Sequence, residues 1–163
     1  MTNKQREEAT VTTPSEREIA TERVFDAPRG LVYKAMTDPE LIPEWWGRET
    51  STIVVDEMDM RPGGAWRFVE HSPDGSENAF RGTYRKIEPP EMVEMTFEWE
   101  GMPGYVAVET MTLEDRGEQT RIKTLTLFHT TEERDGMLEA GMSKGLNESY
   151  AKLDALLEEL ASA

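Results

Sequence analysis

The C-terminal segment from Thr130 to Ala163 constrains the fold more than any other stretch of the chain. Its apolar residues recur at steps of three and four, which places them on one face of a helix. This stripe comprises Leu138, Met142, Leu146, Tyr150, Leu153, Leu157 and Leu160. Thr130 and Glu133 form a capping-box pattern that predicts where the helix starts. At ~1.5 Å per residue the helix would run about 45 Å, so its apolar face needs a large surface to cover it.

Gly141 and Gly145 lie in the middle of this predicted helix. Each costs about 0.8–1 kcal/mol relative to alanine in a helix interior, so another interaction must offset them. The favoured interpretation is that the missing side chains let the helix approach a sheet closely. The alternative is that they leave room for a ligand.

The chain of 163 residues has no internal repeat and is predicted to form one domain. Residues 1–15 are polar, rich in Thr and Glu, and contain Pro14. Such a segment has little apolar surface with which to offset the entropy of ordering. We therefore expect a disordered tail at 1–15 and a folded domain at 16–163.

The charge is strongly acidic, with 33 Asp and Glu against 18 Lys and Arg, a net charge of −15. Such a charge opposes binding to nucleic acid and to anionic membranes, so we expect neither as a partner. The absence of cysteine excludes disulfides and thiolate chemistry. No apolar run has the length of a membrane span, and the expected location is the cytoplasm.

Upstream of the long helix, the pattern predicts one strand, two short helices and six further strands. The first strand is 16–25. The helices follow Pro28 and Pro39, and the second ends at Gly47. The six strands are 51–60, 65–71, 78–87, 92–100, 105–114 and 120–130. Gly, Pro and Asp turns separate them with no helical period between, which indicates an antiparallel meander in an α+β fold.

The alternation within these strands predicts which face is covered. Val93, Met95, Phe97 and Trp99 share one face of their strand, with glutamates and Thr96 on the other. Glu109 lies on the same side of its strand as Met111 and Leu113. Because a buried lone carboxylate is costly, the favoured interpretation places Glu109 at the end of the sheet, in contact with water.

The last strand is ambiguous, because two sets of side chains could face inward. One set is Ile122, Thr124, Thr126 and Phe128, and the other is Leu125 and Leu127. A β-bulge could also switch the faces.

No motif indicates catalysis. His71 and His129 lack partners at the spacing of a metal site or a catalytic triad, and Gly63-Gly64 lacks the ending of a phosphate-binding loop. We predict no catalytic residues, no metal and no cofactor.

Three segments, in the same order along the chain, resemble the activator of Hsp90 ATPase homologue 1-like family of the START-like, birch-allergen-like superfamily. They are RVFDAPRGLVYKAMTDPELIPEWWG (23–47), the segment 60–99 beginning MRPGGAWRF, and the segment 131–160 beginning TEERDGM. The resemblance implies a helix-grip fold, in which a curved antiparallel sheet of about seven strands grips the C-terminal helix with a cavity between them.

The resemblance and the alternation together predict a site in that cavity. Its expected lining is Trp66, Phe68, Tyr84, Phe97, Trp99, Glu109, Met111, Met142 and Leu146. The function expected is non-catalytic binding of a small hydrophobic or aromatic molecule. The resemblance also implies two alternatives, a stress-related module that interacts with a chaperone, and a cyclase-like or hydrolase-like enzyme.

Overall fold

The computed structural model describes residues 8–162 as an eight-stranded antiparallel sheet and four helices. The strands are β1 (Thr10–Thr12), β2 (Glu18–Phe25), β3 (Thr52–Met58), β4 (Ala65–His71), β5 (Glu77–Glu88), β6 (Met92–Trp99), β7 (Ala107–Arg116) and β8 (Gln119–Leu127). The helices are α1 (Arg29–Thr37), α2 (Ile42–Trp45), α3 (Thr131–Glu139) and α4 (Met142–Ser162).

The strand order is β1-β2-β8-β7-β6-β5-β4-β3. Strands β3 to β8 therefore form a meander, and β2 pairs with its last strand, β8. This confirms the α+β helix-grip fold. We call the sheet face turned toward α4 the inner face.

β1 is the strand that the sequence did not predict, and it raises the count from about seven to eight. It lies in the segment expected to be a disordered tail, where Thr10 pairs with Glu22 and Thr12 with Ala20. The Ala9 amide also donates a hydrogen bond of 2.9 Å to the Asn147 side chain on α4. The expectation of a tail is therefore wrong for these residues, while 1–7 lie outside the described residues.

The C-terminal segment forms two helices, not the single helix that was predicted. The capping box at Thr130 and Glu133 is present, which confirms the predicted start. α3 then ends at Glu139 with Ala140 as its C-cap, and Gly141 follows with a φ of +82°. A left-handed glycine just after a helix is a common terminator, because other residues adopt this φ at a cost.

Neither glycine brings the helix close to the sheet. A Cβ built at Gly141 or at Gly145 would have no other side chain or distant backbone within 4 Å. The favoured interpretation of the two glycines is therefore wrong, and Gly141 instead separates two helices.

β8 turns Ile122, Thr124 and Thr126 toward the inner face, as their pairing with Leu113, Met111 and Glu109 requires. Leu125 and Leu127 are exposed on the outer face. The register of β8 is continuous on both sides, so no bulge switches its faces. The irregularities lie instead in β3, between Val55 and Glu57, and in β5, between Tyr84 and Lys86.

The buried apolar side chains form two separate clusters beneath the helices. The main cluster joins α1, α2 and the C-terminal half of α4 to the sheet, with Val32, Trp45, Trp66 and Leu153 among its members. A smaller cluster of Ile19, Ala107 and Phe128 is covered from α3 and the start of α4 by Met137, Leu138 and Met142. The inner face between the two clusters is the region of functional interest.

Within residues 8–162, none of the helices has the length and apolar character needed to cross a bilayer.

Candidate functional site

Glu109 lies in the region between the two clusters, on the central strand β7. On the same strand face, Ala107 is 5 % exposed, Met111 7 % and Leu113 1 %, whereas Glu109 keeps a larger accessible fraction. Its neighbours across the strands, Met95 and Thr126, are also partly accessible. These partly accessible side chains form a stretch of the inner face that is flanked by buried residues. We call the region beside Met95, Phe97, Glu109, Thr126 and Leu146 of α4 the inner chamber.

The Glu109 carboxyl lies across the strands from Met95 and Thr126, and it is close enough to Tyr150 to act on the pKa of that phenol. No described residue donates a hydrogen bond to this carboxyl or forms an ion pair with it. Burial therefore raises its pKa from an ordinary value near 4.5 to about 7. Glu109 is the third residue of β7 and keeps an accessible fraction, so the interpretation that it contacts water near the end of the sheet stays a prediction.

Aromatic rings form the wall of the inner face beside the chamber. Phe97 stacks on Phe80 with ring centroids 5.5 Å apart and lies 5.9 Å from Trp66. Trp46 meets Phe68 and Phe80 edge to face, at 5.3 Å from each. Such contacts fix the orientation of the rings as well as burying apolar surface. The wall is therefore pre-formed from β4, β5, β6 and the residue after α2.

The segment after α2 is tied to both layers, which holds Trp46 in place. Glu70 on β4 is buried and accepts hydrogen bonds from the Arg48 amide (3.2 Å) and the Ser51 hydroxyl (3.0 Å). On the other side, the Ser149 hydroxyl of α4 donates to the Gly47 carbonyl at 2.7 Å. The Glu70 carboxylate thus has a structural role.

Arg23 is a buried cation that links β2 to α4. Its guanidinium donates two bonds of 2.6 Å to the Asp154 carboxylate and lies 4.3 Å above the Phe25 ring. The Phe25 ring in turn meets Tyr150 edge to face at 4.9 Å. Burial and the negative charge of Glu109 raise the pKa of Tyr150, so this phenol stays protonated.

The predicted site residues are placed as follows. Trp66, Phe68, Tyr84 and Met111 are buried on the inner face, and Phe97 and Glu109 are partly accessible there. Leu146 lies on α4 and is partly buried against the main cluster. Met142 packs in the smaller cluster. That these residues line a ligand site stays a prediction.

Trp99 does not join the other predicted residues. It is 40 % exposed at the end of β6, and its indole N–H donates to the Asn78 side chain at 3.2 Å. It lines a shallow surface pocket of about 390 Å³ with Val69 and Gly101. The prediction fails because the alternation carries no information about where the chain leaves the sheet.

The sequence interpretation missed Trp46, Phe80, Arg23 and Thr126 as neighbours of the site. The alternation already placed Phe80 beside Tyr84, and Arg23 has the parity of Phe25 on β2. Trp46 carried no such signal, because hydrogen bonds that join its loop to Glu70 and Ser149, which are distant in sequence, hold it against the sheet.

Comparison with known protein families agrees with this architecture. A family model described as "Activator of Hsp90 ATPase homolog 1-like protein" matches residues 26–158. The chain belongs to this family. No curated protein matches the sequence significantly.

Solved structures of this family type share the fold. A protein of Arthrobacter aurescens is 26 % identical, with a TM-score of 0.84, over 92 % of this chain and 91 % of the other. A protein of Rhodobacter sphaeroides is 23 % identical, with a TM-score of 0.87 and coverages of 94 % and 99 %. An AHSA1 protein of Silicibacter pomeroyi is 22 % identical, with a TM-score of 0.72 and coverages of 86 % and 97 %.

Proposed function

We propose that this protein binds a small apolar, ring-containing molecule in the inner chamber without transforming it. The observation that carries the proposal is the accessible patch of Met95, Phe97, Glu109 and Thr126 between two buried clusters. Pockets for small molecules are typically concave and mainly apolar, with few polar groups. Membership of a family that commonly binds small hydrophobic ligands supports the same function.

The chemistry of the walls favours rings and adaptable shapes. Phe97, Phe80 and Trp66 offer aromatic surface, and Met95 adds a flexible thioether side chain that repacks easily. The polar groups nearby are the Glu109 carboxyl, threonine hydroxyls and the Tyr150 phenol, without the set of nucleophile, base and orienting acid that a catalytic triad requires. Binding without turnover is therefore the function that these side chains support.

A matched pair of variants tests the proposal. Thr126 and Leu127 are adjacent on β8 but point to opposite faces of the sheet. Thr126→Phe should fill the inner chamber, whereas Leu127→Phe adds the same ring on the outer face. We expect aromatic compounds from a metabolite library to raise the melting temperature of wild type and Leu127→Phe, because ligands stabilise the state they bind. The same compounds should leave Thr126→Phe unchanged.

Equal thermal shifts in wild type and both variants would contradict binding in the chamber. A library that shifts none of the three proteins would contradict small-molecule binding itself. Intact far-UV and near-UV circular dichroism of Thr126→Phe is the control for its fold.

A second candidate function is contact with a chaperone ATPase, which the family's description suggests. The observation that favours it is an apolar patch on the outer face, where Leu127 pairs with Val108 and where Val106 and Leu125 are exposed. Patches of this kind mark interaction surfaces in many proteins. Binding of the purified host chaperone to wild type, and its loss in a Leu125→Thr/Leu127→Thr variant, would support this function. Unchanged binding by the variant would contradict a role for the patch.

A further inference from the structure

Glu109 differs from the buried charges Arg23 and Glu70 in that no described residue forms a hydrogen bond or an ion pair with its carboxyl. Arg23 is held by Asp154 through two bonds, and Glu70 accepts two hydrogen bonds from the loop after α2. Glu109 projects from β7 between Met95 and Thr126, and neither an ion pair nor a hydrogen bond engages its carboxyl in the described structure. A protein gains no stability from burying such a group.

A bound molecule with a basic nitrogen would supply the missing partner. An ammonium donor forms a charge-assisted hydrogen bond to a carboxylate, which is stronger than a neutral one. The interior already holds one cation against a ring, because the Arg23 guanidinium lies 4.3 Å above Phe25. Phe97 and Met95 beside Glu109 can receive the apolar body of the same molecule.

We propose that the inner chamber selects small apolar amines, and that the Glu109 carboxylate is the counter-ion of their ammonium group. This inference rests on the proposed function and adds the chemical class of the ligand. An organic acid would place a second negative charge beside Glu109 in a protein of net charge −15, and it should be excluded. A neutral molecule of the same shape should bind less tightly than the amine.

The groups that face Glu109 determine how binding depends on pH. Tyr150 on α4 stays protonated, Arg23 and Asp154 form a closed pair, and Met95, Thr124 and Thr126 carry no charge. In the empty chamber, burial holds the Glu109 pKa at about 7, so an arriving ammonium group displaces a proton at lower pH. Affinity for the amine should therefore increase as pH rises through this region, while affinity for the neutral analogue should not.

Calorimetric titration of the full chain with phenylbutylamine, phenylbutanol and phenylbutanoate tests the inference, because the three probes share one hydrocarbon body. Above the Glu109 pKa we expect the amine to bind at least about tenfold more tightly than the alcohol, and the acid to bind most weakly. In Glu109→Gln, amine and alcohol should bind within about threefold of each other. Glu109→Asp should retain part of the amine preference.

Two results would overturn the inference while leaving the proposed function intact. One is equal affinity of wild type for the amine and the alcohol, and the other is an undiminished amine preference in Glu109→Gln. The pH dependence of the wild type needs no variant, so a flat amine affinity across the pH range would also contradict the proposal. Failure of all three probes to bind would contradict the proposed function and this inference together.

Discussion

At the scale of the residue, the Glu109 carboxyl makes stability depend on pH in an unusual direction. Its pKa is raised to about 7 by burial, so the folded state holds this proton more tightly than the unfolded chain does. Stability then falls as pH rises from about 4.5 to about 7 and levels off above that. The full contribution is at most ~3 kcal/mol, since one pKa unit corresponds to ~1.36 kcal/mol.

Glu109→Gln should remove this dependence. We expect the variant to be more stable than wild type above the Glu109 pKa and to lose that advantage as the pH falls toward 4.5, because the protonated wild-type carboxyl is also neutral. Urea unfolding at a series of pH values measures the difference between the two proteins, which cancels the titration of the other carboxylates. Parallel curves for the two proteins would show that the carboxyl is not desolvated.

Two leucines of α4 differ in how completely they are packed. Leu153 is fully buried in the main cluster, whereas Leu146 is partly accessible beside the inner chamber. Leu153→Ala should cost about 2–5 kcal/mol, because it opens a cavity in a closed core. Leu146→Ala should cost less, since its side chain is only partly buried at the edge of the main cluster. Denaturant melts in which Leu146→Ala is the more destabilised variant would count against the chamber.

At the scale of the element, the break between α3 and α4 depends on one of the two glycines. Gly141 has a φ of +82°, which a residue with a Cβ adopts only with strain, so Gly141→Ala should destabilise the protein by about 1 kcal/mol. Gly145 lies within α4, where an added Cβ meets no atom within 4 Å. Gly145→Ala should therefore stabilise the protein by about 0.5–1 kcal/mol.

Thermal unfolding of both variants under identical conditions measures these opposite signs. A stabilising Gly141→Ala would mean that one continuous helix is accessible to the chain after all. A destabilising Gly145→Ala would mean that the space beside this position is occupied.

Several elements could be predicted from the sequence because local chemistry determines them. The capping box at Thr130 places the start of α3, and the alternation of Val93, Met95 and Phe97 places the inner face of β6. The break at Gly141 could not be predicted, because the spacing of apolar residues continues through it. The sequence also does not show whether a glycine adopts a helical or a left-handed φ. β1 was missed because its pairing with β2, and not its own polar residues, makes it a strand.

The candidate site could be predicted only for residues whose side-chain direction follows from the alternation within a strand. Glu109 and Met111 could be placed on one face, but the burial of Glu109 depends on how α3 and α4 cover the sheet at its two ends. Trp99 followed the period and was placed wrongly, because β6 ends there. Trp46 lies after α2, outside any strand or helix whose periodicity could predict its direction. Its position follows from contacts between residues distant in sequence.

At the scale of the whole molecule, the two sheet faces have different roles in this account. The inner face carries aromatic rings and one unpaired carboxyl beneath the helices, whereas the outer face carries exposed Leu125 and Leu127. Both faces therefore offer apolar surface, and a binding signal alone does not distinguish them. The methyl groups of the protein can report which face a ligand occupies.

The most direct test is a titration of the methyl-labelled protein with phenylbutanol, observed by NMR. We expect the methyl resonances of Met95, Met111 and Leu146, on the inner side, to shift together and saturate. Those of Leu125 and Leu127, on the outer face, should stay in place. Saturating shifts confined to Leu125 and Leu127, or no saturating shift at Met95 and Leu146, would contradict a ligand-binding chamber between the sheet and α4.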